Sequence, residues 1–402
     1  MNAADLTPAF AQFSADLPAA ARKALEQNLQ RFLAQGLPHR KMEDWRYTDL
    51  SALASRAFAL PAPATPDLSA YALAKTELHS FINGGNGAIT AIPVDGSSVV
   101  SLNAAFGRTG LNLHLAANQK TAQPVHVLTH VDSAQPVMAH LRHRIRLDEN
   151  AEATVILHHG GRGEYLTTQV TEIELAAGAR LTLYRVQDES AGSTHLAQTD
   201  VRMGRESRLK FVNVDLGSGL ARQDFNVNLA EPGAEAGLYG LYAPSGKAHV
   251  DNHTRVHHQA PRCTSREFFR GVIGGSSRAV FNGKVVVHEG AIKTDSETRV
   301  ANLLLSKTAE VYAKPDLEIY NDDVKCAHGA TFGQLDEDAL YYLRARGLDK
   351  NTASAMLTQA FAQEVLNHIR HDALHEYVTQ RFLERLPSSL PSGEPQSGAL
   401  QE

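Results

Sequence analysis

Along "AHLRHRIRL", Ala139, Leu141, His143, Ile145 and Leu147 alternate with His140, Arg142, Arg144 and Arg146. That period of two predicts a strand with its arginines on one face, read as a solvated sheet face. Similar alternation in "QPVHVLTHV" and "RLKFVNVDL" belongs to a region, from about Ile92 to Leu335, in which the helical period disappears. With no helix-length segments between the strands, the region does not read as βαβ units. A small residue at a turn followed by alternating apolar positions recurs in "NAEATVIL", "GARLTLYRV", "ESRLKFVNV" and "GAEAGLYGL". The small residues are Ala151, Ala179, Ser207 and Ala234, spaced 28, 28 and 27 apart. Repetition at that length, built of strands and tight turns, predicts the coils of a parallel β-solenoid. Hairpins of a β-sandwich would place turn signals every roughly 8 to 12 residues.

Both ends of the chain change period. From Pro18 to Gln35, Leu25, Leu29, Phe32 and Leu33 mark one face of a helix that Gly36 can close. In "LPHRKMEDWRYTDLSAL", the lone tryptophan Trp45 sits among Met42, Tyr47 and Leu50, a composition suited to a packed elbow between short helices. The prolines of "LPAPATPD" make Leu60 to Asp67 a linker. Near the other end, Asp336 can cap a helix that Gly347 ends. Leu357, Phe361, Val365 and Ile369 predict a second helix, and Leu374, Val378, Phe382 and Leu386 a third that Pro387 stops. The expected organisation is an N-terminal helical region with linker (1–91), a mainly β core (92–335), a C-terminal helical domain (336–386) and a flexible tail (387–402).

Composition narrows the function classes. A net charge of -5 gives no field for nucleic acid or anionic lipid, and nucleic-acid binding is not expected. No apolar run reaches the roughly 18 residues of a membrane span, and the first 30 residues lack a secretory pattern, so the expected location is cytoplasmic. Two cysteines, Cys263 and Cys326, cannot make a disulfide framework, nor by themselves a four-ligand zinc or iron-sulfur site.

Several active-site patterns fail on spacing. "GLYAPSGKA" has five residues between Gly240 and Gly246, with Ala248 where a phosphate loop needs a hydroxyl. Neither G-x-S-x-G nor H-E-x-x-H is present. Asp322 and Asp323 suit a turn better than an acid pair. The histidines at 158, 159, 253, 257 and 258 read as tolerated polar residues on exposed strand faces, and Cys263 as a buried small hydrophobe. Cys326 and His328, in "DVKCAHGAT", differ. Two apart on a strand, they share a face with Cα atoms roughly 6 to 7 Å apart, so a thiolate and an imidazole can hold one ion. A Cys-His nucleophile pair and a buried structural pair are the alternatives, and two ligands alone make an incomplete metal site.

"DDVKCAHGATFGQLDEDALYYLRARGL", preceded by "KTAEVYAKPDLEIY" and "ANLLLS", resembles the C-terminal core motif of the SufB/SufD family, and "KMEDWRYTDL" its N-terminal motif. The short chain, its two cysteines and "GQLDEDALYYLRARGL" are similar to the SufD branch. The resemblance implies a right-handed parallel β-helix between helical regions. It also implies a non-enzymatic subunit of the SUF iron-sulfur cluster assembly scaffold, with SufB and the ABC-type ATPase SufC as partners. The absent phosphate loop would then sit on SufC. By the family's pattern Cys326 and His328 form half of a site that SufB completes, holding an iron-sulfur cluster transiently and none stably alone. Tyr342 and Arg346, on the helix after the histidine, are the implied SufC contacts. An open solenoid end would also let the isolated chain pair with a second copy. The rival expectations are a polysaccharide-processing enzyme on a β-solenoid and the cluster-holding SufB role itself.

Overall fold

The structure, a computed structural model, describes residues 3–386 apart from 86, 92, 93 and 95. The 387–402 tail and Pro387 therefore lie outside the described residues, as does Ile92. In chain order the strands are β1 (Glu77–Ile82), β2 (Arg108–Leu115), β3 (Val125–Asp132), β4 (Val137–Leu147), β5 (Glu152–Arg162), β6 (Tyr165–Leu175), β7 (Arg180–Asp188), β8 (Ser193–Met203) and β9 (Arg208–Gly217). They continue as β10 (Leu220–Leu229), β11 (Glu235–Tyr242), β12 (His249–His258), β13 (Thr264–Ile273), β14 (Arg278–Val287), β15 (Thr294–Leu304), β16 (Glu310–Ile319) and β17 (Val324–Gly333). The helices are α1 (Ala3–Phe13), α2 (Ala19–Gln35), α3 (Ser51–Ala54), α4 (Ser98–Phe106), α5 (Glu337–Ala345), α6 (Lys350–Leu366) and α7 (Asp372–Arg385).

Odd-numbered strands form one sheet and even-numbered strands the other, each in sequence order. Every pairing within them is parallel, so the chain winds alternately through two stacked sheets as a solenoid. The turn before each odd strand explains the repeat. Asn150, Gly178, Glu206 and Gly233 adopt positive φ, and the residue after each, Ala151, Ala179, Ser207 or Ala234, is fully buried. Gly178 takes this left-handed conformation without strain, and a Cβ there would lie 2.2 Å from Asn150 Oδ1 of the preceding turn, which would have to move. Arg262 and Cys263 continue the series, which gives Cys263 its role: a small apolar filler at a turn.

Inward positions of both sheets fill the lumen, with Val155, Leu183, Phe211 and Leu238 from one and Ile145, Ile173, Val201 and Phe225 from the other. The Phe211 and Phe225 rings stack across it at 3.9 Å. Outward faces are covered from both ends of the chain. Leu25, Leu29, Phe32, Trp45 and Phe106 pack with Met138, Leu166 and Leu196 of the even sheet. Val365, Leu374, Val378 and Phe382 of the C-terminal helices pack with Ile156, Tyr184, Val212 and Leu241 of the odd sheet.

Four sequence readings change here. The solenoid starts before residue 92, because β1 pairs with β3 from Glu77↔Val125. A helix, α4, interrupts the β region; all nine of its residues are buried, so it carries no polar face for periodicity to reveal. The arginine stripe of β4 is only partly solvated: Arg142 is buried and donates to Asn103 Oδ1 (3.0 Å) and Glu172 (3.1 Å), while Arg144 and Arg146 stay exposed. The histidines at 158, 159, 253 and 258 are buried and His257 is half-buried, because helices and lumen cover faces that strand alternation alone assigns to solvent. No helix among the described residues is long and apolar enough to cross a membrane.

Buried neutral histidines carry an acid liability. Burial pushes His140 and His158 down to about 3 and His126, His143 and His258 down to about 4, from 6.5. The unfolded chain therefore binds more protons than the native one below 6.5, and stability falls as pH drops through that window toward about 4. Each such histidine contributes up to about 1.4 kcal/mol per pH unit. Urea midpoints measured from neutral pH down to the lower end of that window should fall steadily, and His140→Gln or His158→Gln should each make the fall shallower.

Candidate functional site at the open end of the solenoid

Among the described residues each inner strand has a neighbour on either side, but β16 pairs only with β14 and β17 only with β15. Their outer edges present unpaired main-chain groups, a template for a further strand. The inward alternation runs on to the end, with Val324, Cys326 and Ala330 of β17 packed against the last of the lumen core. Cys326 is half-buried and His328, at the next inward position, is exposed, with no coil beyond it among the described residues. Around this mouth, Ile319, Tyr320 and Phe332 are 42%, 59% and 52% exposed.

Burial, aided by the Asp295 carboxylate, pushes the Cys326 thiol up, against a smaller opposing effect of a backbone hydrogen bond from Ser296. A thiol raised in this way stays protonated at neutral pH. One thiol and one imidazole suit iron or zinc in chemistry, yet fall short in number. Among the described residues no group of three or more His, Cys, Asp or Glu side chains is placed to hold a metal. Asp323 accepts from Lys293 Nζ at 2.9 Å within a turn.

Behind the pair run two files that the sequence reading missed. Cys326 is in register with Ser296, and Ser296 with Ser265. The two serine hydroxyls lie 2.8 Å apart, and Ser265 Oγ lies 2.9 Å from Nε2 of buried His258. His328 is in register with Thr298, and Thr298 with Glu267. Thr298 donates to Glu267 Oε1 at 3.1 Å and Thr254, across the lumen, to Oε2 at 2.5 Å. The same columns in earlier coils hold Leu209 and Ala236, and Phe211 and Leu238. The available signal was the alternation in "TSREFF" and "TDSETRV", whose inward positions turn polar where earlier coils carry apolar residues.

The N-terminal elbow reaches the same end of the molecule. Trp45 lies under the Arg222 guanidinium at 3.8 Å, and Arg222 bonds the Asp44 carbonyl (2.7 Å) and Asp251 Oδ2 (2.8 Å). Thr48 donates its hydroxyl to Asp251 as well. Tyr47 stacks on Tyr312 of β16 at 4.5 Å, and Glu43 pairs with Lys314 at 3.4 Å. The elbow is therefore a brace between the helical cap and an edge strand of the mouth.

After β17, Asp336 caps α5 by accepting from the backbone N–H groups of Asp338 and Ala339. No residue of α5 is buried. Tyr342 is exposed, and Arg346 stands over its ring at 4.8 Å, so the two residues singled out in the sequence form one surface patch, next to exposed Tyr341. The structure thus places Cys326 and His328 on one face of β17 and brings Tyr342 together with Arg346.

Residues 129–361 match the SufBD core domain, described as SUF system FeS cluster assembly. The chain is 32% identical to the iron-sulfur cluster assembly protein SufD of Escherichia coli (strain K12) over 391 residues, covering 90% of this chain and 92% of that one. It is 30% identical to an iron-sulfur cluster assembly SufBD family protein of Synechocystis, covering 83% of this chain and 84% of that one. A SufBD family protein of Mycobacterium leprae is 31% identical over 63% of this chain and 66% of its own. With the solenoid, the motif-bearing last strand and the helical cap all in place, the chain belongs to the SufBD family of iron-sulfur cluster assembly proteins.

Proposed function

We propose that this chain is a non-catalytic, cytoplasmic scaffold subunit that pairs with a SufB subunit through the open end of its solenoid and docks the SufC ATPase through α5. The observation that carries the reading is the pair Cys326 and His328, turned toward an end of the lumen that nothing among the described residues covers. Two donors cannot hold a cluster, whereas two donors beside unpaired strand edges and an apolar rim suit a site completed by another subunit. The same edges are open to a second copy of the chain when SufB is absent.

In this reading the cluster is cargo. Cys326 and His328 supply half of its ligands and SufB the rest, and no cluster stays on the isolated chain. SufC contributes the work. Nucleotide binding there moves α5 and the C-terminal helices that cover the odd sheet, and the motion opens the seam between the two solenoids. Tyr342 with Arg346 has the composition of an interface anchor, an aromatic ring beside a guanidinium.

Two experiments test the halves separately. His328→Ala should lower cluster assembly by roughly tenfold or more, the scale on which metal-site contacts act. Co-purification with SufB and SufC should persist, and unaltered assembly removes the site. Tyr342→Ala combined with Arg346→Glu should weaken SufC capture by about 2 kcal/mol or more, roughly thirtyfold in Kd, measured by calorimetry. Point changes are the proper test, because removing α6 and α7 would strip the odd sheet of its cover.

A further inference from the structure

The polar file that ends at Glu267 has no structural need to exist. The column it occupies is filled by Leu183, Phe211 and Leu238 in earlier coils, and another apolar side chain would continue that packing. Instead a carboxyl is sunk in the lumen, 2% exposed, and no cation pairs with it among the described residues. Its two oxygens each accept from a threonine, Thr254 and Thr298. Thr298 occupies the layer directly behind His328. A buried carboxyl costs stability unless something requires it, and the one opening toward which this file leads is the mouth.

We propose that Glu267 is the proton acceptor of the mouth, taking up through Thr298 the proton that a hydrosulfide gives up as it becomes a bridging sulfide. The inference rests on the cluster-assembly reading above. Cations on the sulfur acidify its S–H bond. That bond breaks, and an O–H bond forms on Thr298 as the hydroxyl passes its own proton to Glu267 Oε1, where a second O–H bond forms. No electron is transferred, and the sulfide keeps the electron pair.

The surroundings suit the task. Burial pushes the Glu267 carboxyl up to about 7, with the two threonine hydrogen bonds opposing it, so it takes and releases a proton near neutrality. Facing the lumen with it are the titratable groups His258 of β12, Tyr242 of β11, and Cys326 and His328 of β17. Other charges on the adjoining strands project from the outer faces. There Arg266 pairs with Asp295, Arg270 with Glu364, Arg299 with Glu297, and Lys284 with Glu318. On β12, Asp251 bonds His253 and Arg222, and Arg255 pairs with Asp44. The neighbouring serine file ends at His258, which burial pushes down to about 4, a poor proton acceptor at neutral pH.

Two isosteric changes separate the carboxyl from its connection: Glu267→Gln removes the acceptor, and Thr298→Val keeps it but cuts the path. In pH-difference infrared spectra of the full chain, a carboxyl band titrating near neutrality should be present in the parent and in Thr298→Val and absent from Glu267→Gln. In the assembly complex supplied with ferrous iron and sulfide, the parent's rate should rise with pH through neutrality. Both variants should lose that rise and run roughly a hundredfold slower. A parent-like rate and pH profile in either folded variant overturns the inference, as does a band that Glu267→Gln leaves in place. His328→Ala run alongside tells the two failures apart. If it impairs assembly while Glu267→Gln does not, only the proton acceptor is lost; if neither has an effect, the cluster-assembly reading fails with it.

Discussion

Each coil of this solenoid satisfies its main-chain hydrogen bonds and covers its inner face only by lying against the next coil, and the last coil has no next. Everything distinctive about the molecule follows from how that deficit is handled. Along the sides, helices from both termini cover the outer faces of the sheets. At the final strands nothing among the described residues pairs with the outer edge or covers the rim. Natural sheets blunt such edges with charge, proline or a covering element. Here Pro315 removes one backbone donor from β16, and along "VKCAHGATFG" of β17 Lys325 is the one Lys, Arg, Asp or Glu, on the same strand as the thiol and imidazole.

Polarity inside the solenoid is graded to match. The columns that lead to Cys326 and His328 are apolar for several coils and become hydroxyl and carboxyl only in the layers next to the opening. Farther back, buried Arg185 donates to Asp215 at 2.6 Å and to Asn213 at 2.8 Å, so the lumen is not a uniform hydrophobic core. Buried pairs of this kind add little net stability, and losing one partner is costly. Such a lumen tolerates substitution far less evenly than its repeat suggests.

The sequence made the architecture legible because the repeat is a backbone event. A left-handed residue followed by a small one leaves a trace every 27 to 29 positions, which survives whatever the side chains between do. The terminal helices were equally plain, since α2 and α7 each bury one stripe. Helix α4 and β1 were not, the first being buried on all sides and the second separated from its partner β3 by α4 and β2. Of the candidate site, the placement of Cys326 and His328 on one face of one strand was legible from spacing and motif. Glu267 and Thr298 were not, because they come together only through stacking register, across 31 residues for one step and 30 for the next. Nor does period two reveal which histidines become buried, since that depends on helices far away in the chain.

The brace formed by Trp45, Tyr47 and Thr48 has an implication for synthesis. Its partners Arg222, Asp251 and Tyr312 leave the ribosome long after it does. The helical cap can find its own internal packing early, but the elbow must wait until nearly the whole barrel of coils has emerged. Made well before those partners, the elbow is fixed only after the strands that carry them have wound correctly.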